Sequence, residues 1–216
     1  LQGSSLTNLY QSSVYSNNIL DKSQKDIVDL FQSLQTRRLL VSAPTSYGKT
    51  FLMREILYLN KDRYNNILLI FPTIALLLEN ARALEKYVSD KHLDYRIIKT
   101  VDGAADSSTR KIFVFTPERS LQLMASFPNL KIDFFFFDEV YKIDEDFCIS
   151  DDEPDSVQNF LNEDRGKTFR ISLYLLSKSV NEYYLAGPNL TWSKFGAGMP
   201  VSYTHLRAHE TPEHLV

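Results

Sequence analysis

The stretch Leu39-Leu40-Val41-Ser42-Ala43-Pro44-Thr45-Ser46-Tyr47-Gly48-Lys49-Thr50 decides how the rest of the chain is read. An apolar run gives way to small residues, and the loop closes on Gly48, Lys49 and Thr50. A helical pattern follows at once, with Leu52, Met53, Ile56 and Leu57 apolar and Arg54 and Glu55 polar. Strand, small-residue loop and helix in that order is the context a phosphate-binding loop needs. Successive backbone N–H groups and a helix N-terminus offer partial positive charge to a triphosphate. Gly48 lets the backbone come close without a Cβ. Lys49 suits the β and γ phosphates, and the Thr50 hydroxyl suits Mg²⁺. Thr45, Ser46 and Tyr47 supply the rest of the loop backbone, so residues 45–50 form the candidate ATP-binding set. Ala43 stands where a second glycine is usual, so on the loop alone a plain strand-turn-helix with an incidental Gly-Lys-Thr remains open.

The second half of the candidate site lies far downstream. Phe134 to Phe137 is an unbroken aromatic run, and Asp138, Glu139, Val140 and Tyr141 follow it. A continuous apolar run ending in two acids predicts a buried parallel strand with carboxylates at its C-terminal end. Open α/β sheets bind ligands at that edge. Asp138 would hold Mg²⁺, directly or through water, and Glu139 would orient and deprotonate an attacking water. Lys49 and Glu139 are thus the candidate catalytic residues, and Thr50 and Asp138 the candidate Mg²⁺ ligands.

The 216 residues suffice for one sizeable α/β domain, and 44% hydrophobic with 24% charged residues is ordinary for a globular chain. A net charge of −3 excludes a generally basic nucleic-acid binder, so any such contact must be a local patch. One cysteine, Cys148, excludes an intrachain disulfide framework and fits a cytoplasmic location. No apolar run reaches membrane-spanning length, and no secretory signal is present.

Residues 1–19, rich in Ser, Asn and Gln, read as a loosely packed lead-in. From Leu20 a helix is expected, capped by Asp21 or Ser23, with Ile27, Leu30, Phe31 and Leu34 at helical spacing. A strand is expected over residues 66–71, then a helix opened by Thr73, whose hydroxyl could donate to a phosphate or merely cap the helix. Short strands are expected at 96–100 and 111–115. Thr116 and Pro117 suit the cap and first position of a helix running through Met124. Nine acids between Asp144 and Asp164, without Lys or Arg, read as a solvated excursion. A helical segment then carries Phe169, Leu173 and Leu176, with Gly166 expected to split it in two, and Tyr183 to Leu185 is the last expected strand.

With these motifs in place the chain resembles superfamily 2 helicases of the DEAD/DEAH type, and within them is similar to Ski2-like and phage-defence helicases. Residues 43–50 resemble motif I, Phe71-Pro72-Thr73 motif Ia, Thr116-Pro117-Glu118-Arg119 motif Ib, and Asp138-Glu139-Val140-Tyr141 motif II. Tyr141 departs from the Asp or His that the best-known subfamilies carry. The resemblance implies an α/β fold of RecA-like P-loop NTPase type, a parallel doubly wound sheet with helices on both faces. It implies ATP and Mg²⁺ as cofactors and DNA or RNA as partner, contacted by Thr73, Thr116 and Arg119. It implies that Gln24 reads the adenine edge with its amide, although a solvated helix glutamine would look the same. Ala186, Gly187 and Pro188 sit where the family has a coupling motif, usually Ser-Ala-Thr, and lack its hydroxyls.

The end of the chain is set apart. Three of the four histidines, His205, His209 and His214, fall between Val201 and Val216. The segment resembles a translated sequencing-adapter tail, so residues 201–216 are read as non-native, and poor packing or an isolated helix is expected there. Residues 20–200 are then the ATP-binding domain, and a second RecA-like domain bearing arginine fingers is the missing partner that the resemblance implies. Such fingers are worth roughly 10³–10⁵ in rate, so this chain alone is expected to hydrolyse ATP poorly. Three activities stay open: a helicase, a translocase that does not separate strands, and a nucleotide-gated binding module without catalysis.

Overall fold

The computed structural model describes residues 11–12, 18–106, 108–143, 157–188 and 202–205. Residues 144–156 of the expected acidic excursion, most of the lead-in, and His209 and His214 lie outside the described residues, and residues 157–164 of that excursion are helical. The elements in chain order are β1 (Gln11–Ser12), β2 (Ile19–Leu20), α1 (Lys22–Ser33), β3 (Arg38–Ser42), α2 (Lys49–Leu59), β4 (Asn66–Ile70) and α3 (Ile74–Asp90). They continue with β5 (Arg96–Ile98), β6 (Lys111–Phe115), α4 (Pro117–Ser126), β7 (Phe134–Phe137), α5 (Val157–Ser179), β8 (Glu182–Gly187) and β9 (Ser202–His205).

Seven strands form one sheet in the order β5-β6-β4-β7-β8-β3-β9, and every neighbouring pair is parallel. Both faces of a parallel sheet are covered, which is why its strands read as unbroken apolar runs. Alternate residues feed two separate cores. Leu39, Val41, Ile67, Leu69, Phe134, Phe136 and Tyr184 meet apolar residues of α1, α2 and α3. Leu40, Leu68, Ile70, Phe135, Phe137, Tyr183 and Leu185 face α4 and α5. The result is the expected doubly wound α/β sandwich. Because all strands run the same way, every strand-to-helix loop opens on one edge of the sheet.

The helix starts follow their capping chemistry. The Asp21 carboxylate accepts the Gln24 N–H at 2.8 Å. Gln24 Oε1 in turn accepts the Asp21 N–H at 3.2 Å. Together they make a reciprocal box at the head of α1. Thr73 caps α3 by accepting the Leu76 N–H at 3.3 Å, the usual role of a threonine at that position. Thr116 occupies the cap position of α4 with Pro117 behind it, but its hydroxyl makes no capping bond.

Four expectations are corrected. Part of the lead-in is paired, β1 antiparallel to β2, so Leu20 is buried in a strand and the helix expected from Leu20 begins at Lys22. Gly166 does not divide the last helix: α5 runs unbroken from Val157 to Ser179, and Gly166 lies buried inside it. A mid-helix glycine costs only about 1 kcal/mol, which packing readily overrides. The last expected strand is longer, because Ala186 and Gly187 continue β8 in register with Val41 and Ser42. Beyond residue 201, Ser202–His205 pairs in parallel with Leu39–Ser42 rather than forming a helix or staying unpaired. That pairing uses backbone groups, which any segment without proline can supply.

The central strand should carry much of the stability. Phe136 has no exposed surface and packs against Phe71 and Tyr184, with ring centroids 5.9 and 5.1 Å away. Phe136→Ala is expected to lower the free energy of unfolding by about 3–5 kcal/mol, read from urea denaturation.

Candidate nucleotide site

β3 ends at Ser42, and its loop folds back at once. Thr45–Tyr47 makes one 3₁₀ turn, Gly48 takes φ +84°, and α2 begins at Lys49. That left-handed φ is what glycine alone adopts without strain. A Cβ at Gly48 would also come within 3.3 Å of Gln24 Nε2. The Ala43 N–H donates to Gly187 O at 3.1 Å, which ties the start of the loop to the end of β8. Helix α1 holds the other side. Gln24 Nε2 donates to Tyr47 O at 3.0 Å, and Tyr47 O–H donates to Ser23 Oγ at 2.7 Å. Burial pushes the Tyr47 phenol up to about 12, so it stays a donor at neutral pH.

Lys49 is only 5% exposed, and its ammonium donates to Ala43 O at 2.9 Å and Pro44 O at 2.8 Å. Burial lowers its pKa, while the charges of Asp138 and Glu139 act to raise it. The lysine of one strand's loop and the acid pair of another therefore share one electrostatic neighbourhood. In the sheet a single strand, β8, separates β3 from β7. Thr50 is half-buried on the first turn of α2.

The acids leave β7 in a tight turn. The Asp138 N–H still pairs with Ile70 O at 3.0 Å, and the Glu139 N–H donates to Asp138 Oδ1 at 2.9 Å. Burial pushes the Asp138 carboxyl up to about 6, with its bond to Glu139 N–H opposing that rise. Glu139 adopts φ +53°. That region costs a non-glycine residue roughly 1–3 kcal/mol. A 3₁₀ turn, Val140–Ile143, follows directly. Tyr141 O–H donates to Glu139 Oε2 at 2.6 Å, and Lys142 Nζ lies 3.7 Å from the same oxygen. Burial and the adjoining Glu139 carboxylate hold the Tyr141 phenol well above its usual range, as a proton donor.

The other expected residues divide. Gln24 lies at the site, but both ends of its amide are engaged, one in the α1 cap and one on the loop. Ala186 is fully buried within β8, and Gly187 touches the loop through its carbonyl. Pro188 follows β8 directly. Thr73 and Thr116 follow β4 and β6, so they lie along the same sheet edge as the loop. Thr73 is half-buried, whereas Thr116 is 7% exposed, which leaves its side chain little surface to offer a nucleic acid. Arg119 donates to Lys99 O at 3.2 Å. The side chain of Thr45 lies outside the described residues.

Sequence reasoning missed the contacts of Tyr141 and Lys142 with Glu139, and the lacing of Ser23 to Tyr47. A tyrosine two residues beyond the second acid was the available signal. Among the described residues no three His, Cys, Asp or Glu gather around one point. A hydroxyl and one carboxylate fit Mg²⁺ as it commonly binds beside phosphates, with substrate oxygens and waters completing the shell.

The raised Asp138 pKa has a stability consequence. Between its ordinary 3.8 and about 6 the folded chain holds a proton that the unfolded chain has released. Stability from this group is therefore lost as pH rises through the folded value. With Mg²⁺ chelated, Asp138→Asn is expected to stabilise the chain at slightly alkaline pH by on the order of 2 kcal/mol. That gain should vanish once the pH falls to the ordinary aspartate range, as followed by thermal melting.

No curated protein matches the chain. Among solved structures it is similar to a nuclease-deletion mutant of the Type ISP restriction-modification enzyme LlaGI in complex with a DNA substrate mimic. The TM-score is 0.52 at 14% identity, over 77% of this chain and 15% of that one, and the likeness shows a shared RecA-like fold. The chain thus spans a small part of that enzyme's length. A family model described as "Type III restriction enzyme, res subunit" matches residues 7–172. That match supports superfamily 2 and gives no support to the Ski2-like or phage-defence type. The chain belongs to the Type III restriction enzyme res-subunit family.

Proposed function

We propose that this chain is the ATP–Mg²⁺-binding domain of a nucleic-acid-dependent ATPase that uses hydrolysis to move along DNA. The convergence of Lys49 with Asp138 and Glu139 at one sheet edge carries the proposal. The loop backbone from Thr45 to Thr50 would bind the phosphates, with Lys49 exchanging loop carbonyls for phosphate oxygens. Thr50 and Asp138 would hold Mg²⁺, which supplies charge neutralisation at the phosphates. Glu139 would orient water and accept its proton. Gln24 holds the loop through Tyr47 and is the candidate for the adenine edge.

DNA is favoured over RNA as the track because the family and the structural neighbour are both restriction enzymes, and the neighbour was solved with a DNA substrate mimic. Thr73 and Arg119 would meet its backbone, with Thr116 contributing mainly through the start of α4. Ala186 to Pro188 would couple the two sites through the bond from Ala43 to Gly187. The full motor would include a second RecA-like domain. No described helix is long and apolar enough to cross a membrane.

In the full-length protein, ATP turnover should rise on adding DNA and respond less to RNA. Lys49→Ala should abolish turnover and weaken nucleotide binding. Glu139→Gln should lower turnover by about 10²–10⁴ while leaving binding intact. Wild-type rates in both variants would remove the assignment. A strand-displacement assay beside a translocation assay then separates unwinding from movement without unwinding.

A further inference from the structure

The turn after the acid pair is built around one carboxylate. Glu139 sits at φ +53°. A side chain of its size gains nothing locally from that conformation and must be held there by its surroundings. Three contacts from the next turn hold it. The Lys142 N–H donates to Glu139 O at 3.0 Å, Lys142 Nζ lies 3.7 Å from Oε2, and Tyr141 O–H donates to Oε2 at 2.6 Å. Of the three, the Tyr141 bond is both short and aimed at the carboxylate, and a bond to a charged acceptor is among the stronger kinds. The Tyr141 ring is itself fixed, packed against the core beneath α4 and α5. Both of these side-chain contacts fall on one oxygen, Oε2, so they orient the carboxylate without themselves covering Oε1.

We propose that Tyr141 is a positioning residue: its phenol anchors Oε2 of Glu139, fixing the direction in which the other carboxylate oxygen meets the attacking water. The proposal rests on the nucleotide reading above for the role of Glu139, but the Tyr141 contact with Oε2 can be tested separately from it. It gives a purpose to the residue at which this sequence departs from the best-known motif II. A general base held only by rotatable single bonds would sample several orientations, and catalysis falls steeply with small misplacements.

Tyr141→Phe tests it, because the ring keeps its packing and only the O–H is lost. In the nucleotide-free chain, hydrogen exchange at the Lys142 amide, which closes on Glu139 O, should quicken about tenfold. The Leu52 amide, bonded to Gly48 O at 2.9 Å, should exchange at its wild-type rate. In the full-length protein kcat for ATP should fall about tenfold with KM within about twofold, and in a Glu139→Gln background Tyr141→Phe should cause no further fall. Unchanged exchange at Lys142, an unchanged kcat, or an equal fall in the Glu139→Gln background would each overturn the proposal. If Glu139→Gln retained full turnover, the nucleotide reading would be what failed, while the exchange result would still decide whether Tyr141 anchors the carboxylate.

Discussion

A buried ammonium must be compensated, and the arrangement around Lys49 follows from that requirement. Desolvation alone would drive the lysine toward its neutral form. Loop carbonyls 2.8 and 2.9 Å away, with the charges of Asp138 and Glu139, offset that pressure. The acids are under the converse constraint: the carboxyl of Asp138 is also pushed toward neutrality by burial, and the Lys49 charge opposes this. Neither side of the site is comfortable without the other. A parallel sheet can bring them together because all its strand exits share one edge. The strand between them, β8, sets their spacing and reaches the loop through the Gly187 carbonyl.

How much of this the sequence displayed depended on the kind of interaction involved. Runs such as Ile67 to Ile70 and Phe134 to Phe137 announce buried parallel strands, since burial on both faces leaves no polar alternation. The loop and the acid pair stood out as sequence patterns because phosphate and magnesium chemistry would demand such side chains. What escaped was set by backbone or by packing. Ala186 and Gly187 carry little strand propensity, yet pairing with Val41 and Ser42 extends β8 through them. Gly166 breaks no helix because the roughly 1 kcal/mol that a mid-helix glycine costs is outweighed by burial of Phe169, Leu173 and Leu176 on α5. The positive φ of Glu139 had no signal at all, since glutamate does not favour that region, so the tyrosine two residues on was the one hint of its contact with Glu139.

Gln24 is committed at both ends of its amide. The family resemblance implied contact with a nucleobase. In the folded chain its carbonyl oxygen completes the α1 cap and its amide nitrogen holds the Tyr47 carbonyl. With Tyr47 O–H on Ser23, helix α1 is laced to the loop at two points. Any displacement of α1 is therefore transmitted to the backbone that would cradle phosphate. The amide has a second hydrogen and a second lone pair, so a base that engaged it would meet a side chain already oriented by the loop.

The same logic of exchange governs the loop itself. Lys49 already donates to two carbonyls, so a phosphate would gain the lysine only by substituting for them. Hydrogen bonds involving a charged group contribute roughly 1.5–3 kcal/mol each, and replacing neutral acceptors by anionic ones favours the phosphate. The carbonyls released must then find other donors or water. On the proposed reading, selectivity for a highly charged ligand would follow, because a weaker acceptor could not displace contacts that the loop makes with its own backbone. A loop that binds its own lysine would in that case be preset against neutral ligands.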